Sequence, residues 1–218
     1  MITQDRKALL LATCLAAQAG FVDALGFIHL GGFFISFMSG NSTRLAVSLA
    51  EQGYTLAVLL PFALIALFVV GVMLGTVIGH SAKHNKSAKI LLLVFSLLLA
   101  AALSHYCGHD GLAIAFMVIA MGAENDVFVN KGEVSVAVTY MTGTLVKLGQ
   151  RIAGNFVGEE KKPWLPYLIL WLGLILGAVI GSVAYAWAGL SALWCVVVFS
   201  GVLAGFQWLQ KSPERRAL

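Results

Sequence analysis

Met38-Ser39-Gly40-Asn41-Ser42-Thr43-Arg44-Leu45, which follows Asp23, is echoed by Met141-Thr142-Gly143-Thr144-Leu145-Val146-Lys147-Leu148, which follows Asp126. The offset is 103 at each matched position, with no gap, and the charge survives at Arg44 and Lys147. Farther along, Gly71, Gly75, Gly79 and Pro61 recur as Gly173, Gly177, Gly181 and Pro163, now at an offset of 102. The chain is therefore an internal duplication of about a hundred residues. If each copy holds an odd number of membrane spans, the copies face opposite ways, which is a common build for transporters and channels.

Composition sets the class. The chain is 60% hydrophobic and 11% charged, with a mean hydropathy of +0.90. A soluble domain carries about 25% charged residues, so this is a polytopic membrane protein. The net charge of +4 does not point to nucleic acid, because the basic residues flank apolar segments and read as topology signals. Cys14, Cys107 and Cys195 are odd in number and far apart, which gives no disulfide framework or metal spacing and leaves them as packing residues. Arg6-Lys7 before Ala8-Leu9-Leu10-Leu11-Ala12 has the look of a signal peptide. The equivalent apolar run Leu112 to Met121 before Asp126 argues instead for an uncleaved first span.

Six segments reach the ~20 residues a crossing helix needs. The first repeat, 1–107, has spans 8–28, 57–79 and 88–106, and the second, 108–218, has spans 111–130, 165–187 and 190–210. Trp164, Tyr167, Trp187 and Trp208 fall near span ends, as interfacial aromatics do. The segments 29–50 and 131–155 are broken by Gly, Ser, Thr and basic residues, so each either crosses or dips in and returns. With six spans and the N-terminus inside, thirteen of the fourteen Lys and Arg lie on the cytoplasmic side, and Arg44 alone lies outside. Eight spans would export Lys83, Lys86 and Lys89, against the positive-inside rule. The expected fold is an all-α membrane protein: six transmembrane helices as two inverted three-helix repeats, each with a re-entrant or broken-helix segment. It sits in a bacterial inner (cytoplasmic) membrane with both termini cytoplasmic.

Irregular backbone at membrane depth is tolerated where protein buries it or water lines it, so a re-entrant segment already hints at a pathway. Gly40 and Gly143 permit a sharp reversal or a close backbone approach. Ser39 or Asn41, and Thr142 or Thr144, are suited to cap helices running from Thr43 to Gln52 and from Leu145 to Ala153. Such helices of about ten residues span ~15 Å, half the hydrocarbon core, and their electropositive N-termini would converge at the midplane. Arg44 and Lys147 then add full charges near the first turns, a setting for a small anion or carboxylate. The plainer reading is a tight turn between packed helices, with Arg44 snorkelling outward.

Asp23 and Asp126 lie about fifteen residues, some 22 Å, into their spans, and inversion would put them in opposite leaflets. Glu124 and Asn125 crowd the second acid. An ionised carboxylate at helix centre costs about 2.5–3.5 kcal/mol on insertion scales, so such groups face the bundle interior. Asp23, Asp126 and Glu124 are candidates for proton or ion coupling; the alternative is that each Asp caps its re-entrant segment or pairs with the nearby base. His29, His80, His84, His105 and His109 fall at span ends or loops and read as solvated. The glycine rows of spans two and five allow close helix approach, either within one chain or in a homodimer contact.

Gly20-Phe21-Val22-Asp23-Ala24 with Phe33-Phe34-Ile35-Ser36-Phe37-Met38-Ser39-Gly40-Asn41 resembles the signature of the YoaK-like family of bacterial inner-membrane proteins, and chain size, span number and the later Thr-Gly motif fit as well. The resemblance implies an integral membrane protein of a group whose function is largely unassigned. Thr144 in place of Asn41 departs from copy symmetry.

The leading expectation is a small-solute transporter, the solute an anion, with a midplane site at the repeat interface. Its binding candidates are Ser39, Gly40, Asn41, Arg44, Thr142, Gly143, Thr144 and Lys147. A channel of the same architecture and a non-transport scaffold subunit are the alternatives. Enzyme motifs are not expected, since no Ser/Lys or Ser/His dyad and no zinc-protease helix stands out; nor is any cofactor or metal. The expected partners are the lipid bilayer and a small molecule or ion.

Overall fold

The structure is a computed structural model that describes residues 6–52, 56–82, 85–130, 133–134, 140–157 and 163–209. The expectations for His84, for Lys83 and for parts of the 131–155 segment lie outside these residues. Helices account for nearly all of what is described: α1 (Arg6–His29), α2 (Met38–Gln52), α3 (Leu56–Ser81), α4 (Lys86–Tyr106), α5 (Asp110–Glu124), α6 (Met141–Phe156), α7 (Leu165–Ala188) and α8 (Leu193–Leu209). The departure from all-α is a two-residue antiparallel pairing of Val129–Asn130 with Glu133–Val134.

Among the described residues, five stretches are long and apolar enough to cross a bilayer: Arg6–His29, Val58–Ser81, Lys86–Tyr106, Asp110–Phe128 and Leu165–Leu209. The last is 45 residues long and unites the two segments expected separately at 165–187 and 190–210. A 3-10 turn at Gly189–Ala192 joins α7 to α8, and Gly189 takes φ 59°, a conformation glycine adopts without strain. The fourth stretch also differs from a plain helix, because α5 ends at Glu124 and passes into a 3-10 turn, Asn125–Phe128, that holds Asp126.

Small residues decide which helices meet. A methyl group added at Gly177 or Gly181 would strike the backbone of Ala17 or Phe21, and one at Gly20 would strike that of Leu174. On the other side of the bundle, a methyl at Gly71 would strike Ile119, one at Gly75 would approach Ala123, and one at Gly122 would strike Phe68. The glycine rows therefore bring α7 against α1 and α3 against α5 at backbone contact within the chain. Gly79 instead faces Lys86 and Ile90 of α4.

The two interfaces correspond residue by residue. Ala17–Gly177, Phe21–Gly181 and Gly20–Leu174 match Ile119–Gly71, Ala123–Gly75 and Gly122–Phe68. The match needs an offset of 102 between α1 and α5, but 106 between α3 and α7. The sequence pairing of Gly71 with Gly173 is thus one helical turn out of register. The same shift separates Pro61, inside α3, from Pro163, which precedes α7.

The contacts also fix relative directions. α1 and α7 run parallel, as do α3 and α5. α1 and α5 run antiparallel, since His29 at the end of α1 meets Asp110 at the start of α5, while Gln18 meets Glu124. Between α1 and α3 the chain leaves and returns at one end of the bundle; between α5 and α7 it does so at the other. The buried core is filled from α1, α4, α5 and α8, with Leu15, Leu25, Leu98, Met117, Met121 and Leu193 fully enclosed. The outer faces of α3 and α7 are apolar and exposed, through Val69, Met73 and Val77 and through Leu176, Val179 and Val183, as hydrocarbon contact requires.

Candidate functional site

The reversal after α1 is made at Gly31 and Gly32, with φ 65° and 103°, and not at Gly40. Gly32 N–H donates to Phe27 O at 2.7 Å and Gly31 N–H to Ile28 O at 3.4 Å, the Schellman arrangement that closes a helix end. The next residues fold back along α1. Ile35 is fully buried and fills the notch left by Gly26, where a methyl group would collide with it. Asp23 completes the attachment: its Oδ1 accepts Ile35 N–H and Ser36 N–H, both at 2.7 Å, and its Oδ2 accepts the Ser36 hydroxyl. Asp23 thus has three donors from the segment that follows α1, which is the capping role weighed from the sequence. Six residues, ~9 Å of helix, separate it from His29.

α2 begins earlier than the sequence suggested. Met38-Ser39-Gly40-Asn41 forms its first turn and does not precede it, so α2 has 15 residues and α6, by the same change, has 16. Asn41, wholly buried, does not cap the helix. Its Oδ1 accepts Phe34 N–H at 3.0 Å and its Nδ2 donates to Phe34 O at 2.7 Å, so it pins the same segment as Asp23. Gly40 is small because the Phe37 and Phe34 rings cover it, and Gly143 because the Tyr140 ring does. Phe37 and Tyr140 stand at the duplicated offset, a correspondence unnoticed in the sequence. Ser39 accepts the Thr43 hydroxyl through its carbonyl at 3.2 Å.

Arg44 lies in the second turn of α2 and is exposed; its guanidinium stacks 4.9 Å from the Phe33 ring centroid and lies against Gly32. It therefore stands level with the end of α1, away from the bundle centre, as the snorkelling reading has it. In the second copy Thr144 is buried like Asn41, while Thr142 and Lys147 are exposed. Tyr140 precedes α6 and makes no side-chain cap.

Asp126 is buried and accepts the Thr76 hydroxyl at 3.1 and 3.2 Å. Gly75 leaves room for that carboxylate. Thr76 is five residues before the end of α3, so Asp126 and Asp23 lie toward opposite ends of the bundle. Glu124 is not part of either acid's surroundings. It pairs with Gln18, whose Nε2 donates to Glu124 Oε2 at 2.8 Å. Both side chains are buried, and Gln18 Oε1 and Glu124 Oε1 each lack a donor among the described residues. Gln18 and Thr76 were missed in the sequence. Gln18 is a long polar side chain inside the apolar run of α1, and that was the available signal.

His29 and His105 are not simply solvated. His105 Nδ1 lies 2.6 Å from Asp110 Oδ1 and its Nε2 3.1 Å from Ser191 Oγ. His29 Nε2 lies 3.7 Å from Asp110 Oδ2 and its Nδ1 3.2 Å from the Tyr185 hydroxyl. Four helices and the Gly189–Ala192 turn are tied together at the end where α1 finishes. Among the described residues no set of side chains is arranged to hold a metal ion.

Residues 11–206 match the model of a family described as protein of unknown function (DUF1275). The chain is 35% identical over 186 residues to the UPF0700 transmembrane protein RA0705 of Rhizobium meliloti (strain 1021), which covers 85% of this chain and 80% of that one. It is 30% identical over 193 residues to the UPF0700 transmembrane protein YoaK of Bacillus subtilis (strain 168), covering 84% of each. The resemblance seen in Gly20 to Asn41 is thereby confirmed, and with it a multi-pass membrane protein. No solved structure matches.

Proposed function

We propose that this chain, which belongs to the DUF1275 family of proteins of unknown function, is a proton-coupled transporter of a small anionic solute. It would be built as six crossings in two inverted repeats, in a bacterial inner membrane with both termini in the cytoplasm. Leu165–Leu209 would supply two of the crossings, since 45 residues of helix are about twice what one crossing takes. The observation that carries the reading is the correspondence between the α1/α7 and α3/α5 interfaces, combined with chain returns at opposite ends of the bundle. Two oppositely directed copies that interlock through glycine contacts support rocking of one against the other. The segment held down by Asp23 and Asn41 would be the re-entrant element of the first copy.

The solute's charge rests on Arg44 and Lys147. The N–H groups of Met38, Gly40 and Asn41 donate to Ser36 O and Phe37 O, so the start of α2 offers less to an anion than the sequence suggested. Arg44 at one mouth, and Lys147 at the equivalent place in the other copy, would attract anions from either side. The test is a thermal-shift screen of the purified protein against small anions and metabolites, followed by uptake into proteoliposomes. A stabilising anion that accumulates against its gradient is expected, with stabilisation weakened in Arg44→Gln and Lys147→Gln. Passive, non-accumulating flux would assign a channel. A protein that no solute stabilises and that moves none would be a scaffold.

A further inference from the structure

We propose that Gln18 and Glu124 together bind one exchangeable proton at the centre of the bundle, and that this pair, not Asp23, is the coupling site of the transporter proposed above. The assignment to coupling rests on that reading; the proton site itself rests on geometry. Gln18 is the thirteenth of the 24 residues of α1, so roughly 18 Å of helix lies on one side of it and about 16 Å on the other. It meets Glu124 where the first helices of the two repeats cross, and both side chains are enclosed. Asp23 has three donors and Asp126 has the Thr76 hydroxyl. Among the described residues Glu124 has one donor for two oxygens, and the Gln18 amide oxygen has no donor.

The hydrogen-bond inventory identifies what is missing. An ionised carboxylate can only accept, and an amide oxygen can only accept, so the two free oxygens cannot satisfy each other. Each acceptor left unmade in a buried site keeps the full cost of its desolvation. A proton on Glu124 turns the carboxyl into a donor as well as an acceptor, which the neighbouring amide can match. The other ionisable side chains on α5 and the elements packed around it are Arg6, Lys7, Cys14, Asp23 and His29 on α1, His80 on α3, Lys86, Lys89, His105 and Tyr106 on α4, Asp110 on α5, and Asp126 in the turn after α5. Gln18 is the hydrogen-bond partner that Glu124 has among the described residues. The repeat places no second glutamate at this crossing, so the site is single where the rest of the architecture is paired.

Infrared difference spectroscopy on the full chain in lipid nanodiscs tests this, with pH jumps and deuterium exchange as the only perturbations. The expected result is one carboxylic-acid carbonyl band that shifts in heavy water, titrates once and disappears in Glu124→Gln. That variant keeps its fold, because its amide supplies an N–H. If Glu124→Gln does not assemble, Gln18→Leu serves instead: the band must then move in frequency and in titration. A band that persists in Glu124→Gln, or is untouched in Gln18→Leu, overturns the proposal. So does sodium- or lithium-dependent stabilisation that Glu124→Gln abolishes, which would make this a metal-cation site. Solute uptake is measured separately, so loss of the band leaves the transporter reading standing, and a band without uptake leaves the site without the transporter.

Discussion

A carboxylate inside a membrane helix reads at first as a functional charge, and Asp23 shows why its hydrogen bonds must be counted first. Both N–H donors of Ile35 and Ser36 converge on one oxygen, and the Ser36 hydroxyl takes the other. Asparagine can reproduce this, with its oxygen accepting both backbone donors and its NH2 facing the serine oxygen. Asp23→Asn is therefore expected to unfold within about 1 kcal/mol of the wild type, whereas Asp23→Ala leaves at least two buried donors unmet and loses roughly 2–5 kcal/mol. Thermal or denaturant unfolding in detergent measures the difference. Equal losses in the two variants would show that the negative charge, and not the hydrogen bonds, holds the segment. The sequence showed the acid and the segment but not their attachment, because the attachment uses backbone N–H groups that every sequence possesses. Asn41 is similar: its residue type marked it as a helix cap, and only the fold shows that it bonds Phe34 instead.

Between helices, glycine spacing carried more information than charge did. The duplicated rows were legible as close-contact faces, and both are used that way. Their register was not legible. A residue that repeats every fourth position can slide by one turn and still match itself, so Gly71 aligned with Gly173 in sequence while it corresponds to Gly177 in space. A methyl group at Gly177 would come 1.9 Å from the Ala17 carbonyl oxygen, against nothing within 4 Å at Gly205 on α8. Gly177→Ala should then destabilise the protein by about 1–3 kcal/mol through overpacking. Gly205→Ala should leave it unchanged or gain up to ~1 kcal/mol from helix propensity. Unfolding midpoints decide between them, and equal shifts would mean that the α1/α7 contact tolerates separation. Where α4 passes into α5, His105 and Asp110 are partly exposed, at 25% and 45%, so their contact is screened. A double-mutant cycle between His105→Ala and Asp110→Ala should return a coupling of about 0.2–1 kcal/mol, and a value of zero would reduce the cluster to incidental contact.

At the scale of the whole molecule, the question is which ends face which compartment. Several apolar crossings were readable from span length, because hydrophobicity acts locally along the chain, and the placement of lysine and arginine supports the six-crossing arrangement proposed above. Which helices interlock was not readable, since α1 joins α7 across five intervening helices and α3 joins α5 across α4. Those pairings put the end of α2 at the same end of the bundle as Cys107, and the end of α6 at the opposite end with Ala82. In the proposed orientation, which keeps the basic residues cytoplasmic, the first group would lie outside and the second inside. Glu51 and Val157 are exposed at the ends of the two short helices and serve as reporters. In a background lacking Cys14 and Cys195, a membrane-impermeant maleimide applied to intact spheroplasts should label Cys107. With Cys107 also removed, it should label Glu51→Cys directly, but Val157→Cys and Ala82→Cys only after permeabilisation. Labelling of Glu51→Cys and Val157→Cys from the same face would break the inversion, because a second copy whose short helix returns to the outer side cannot be the mirror of the first.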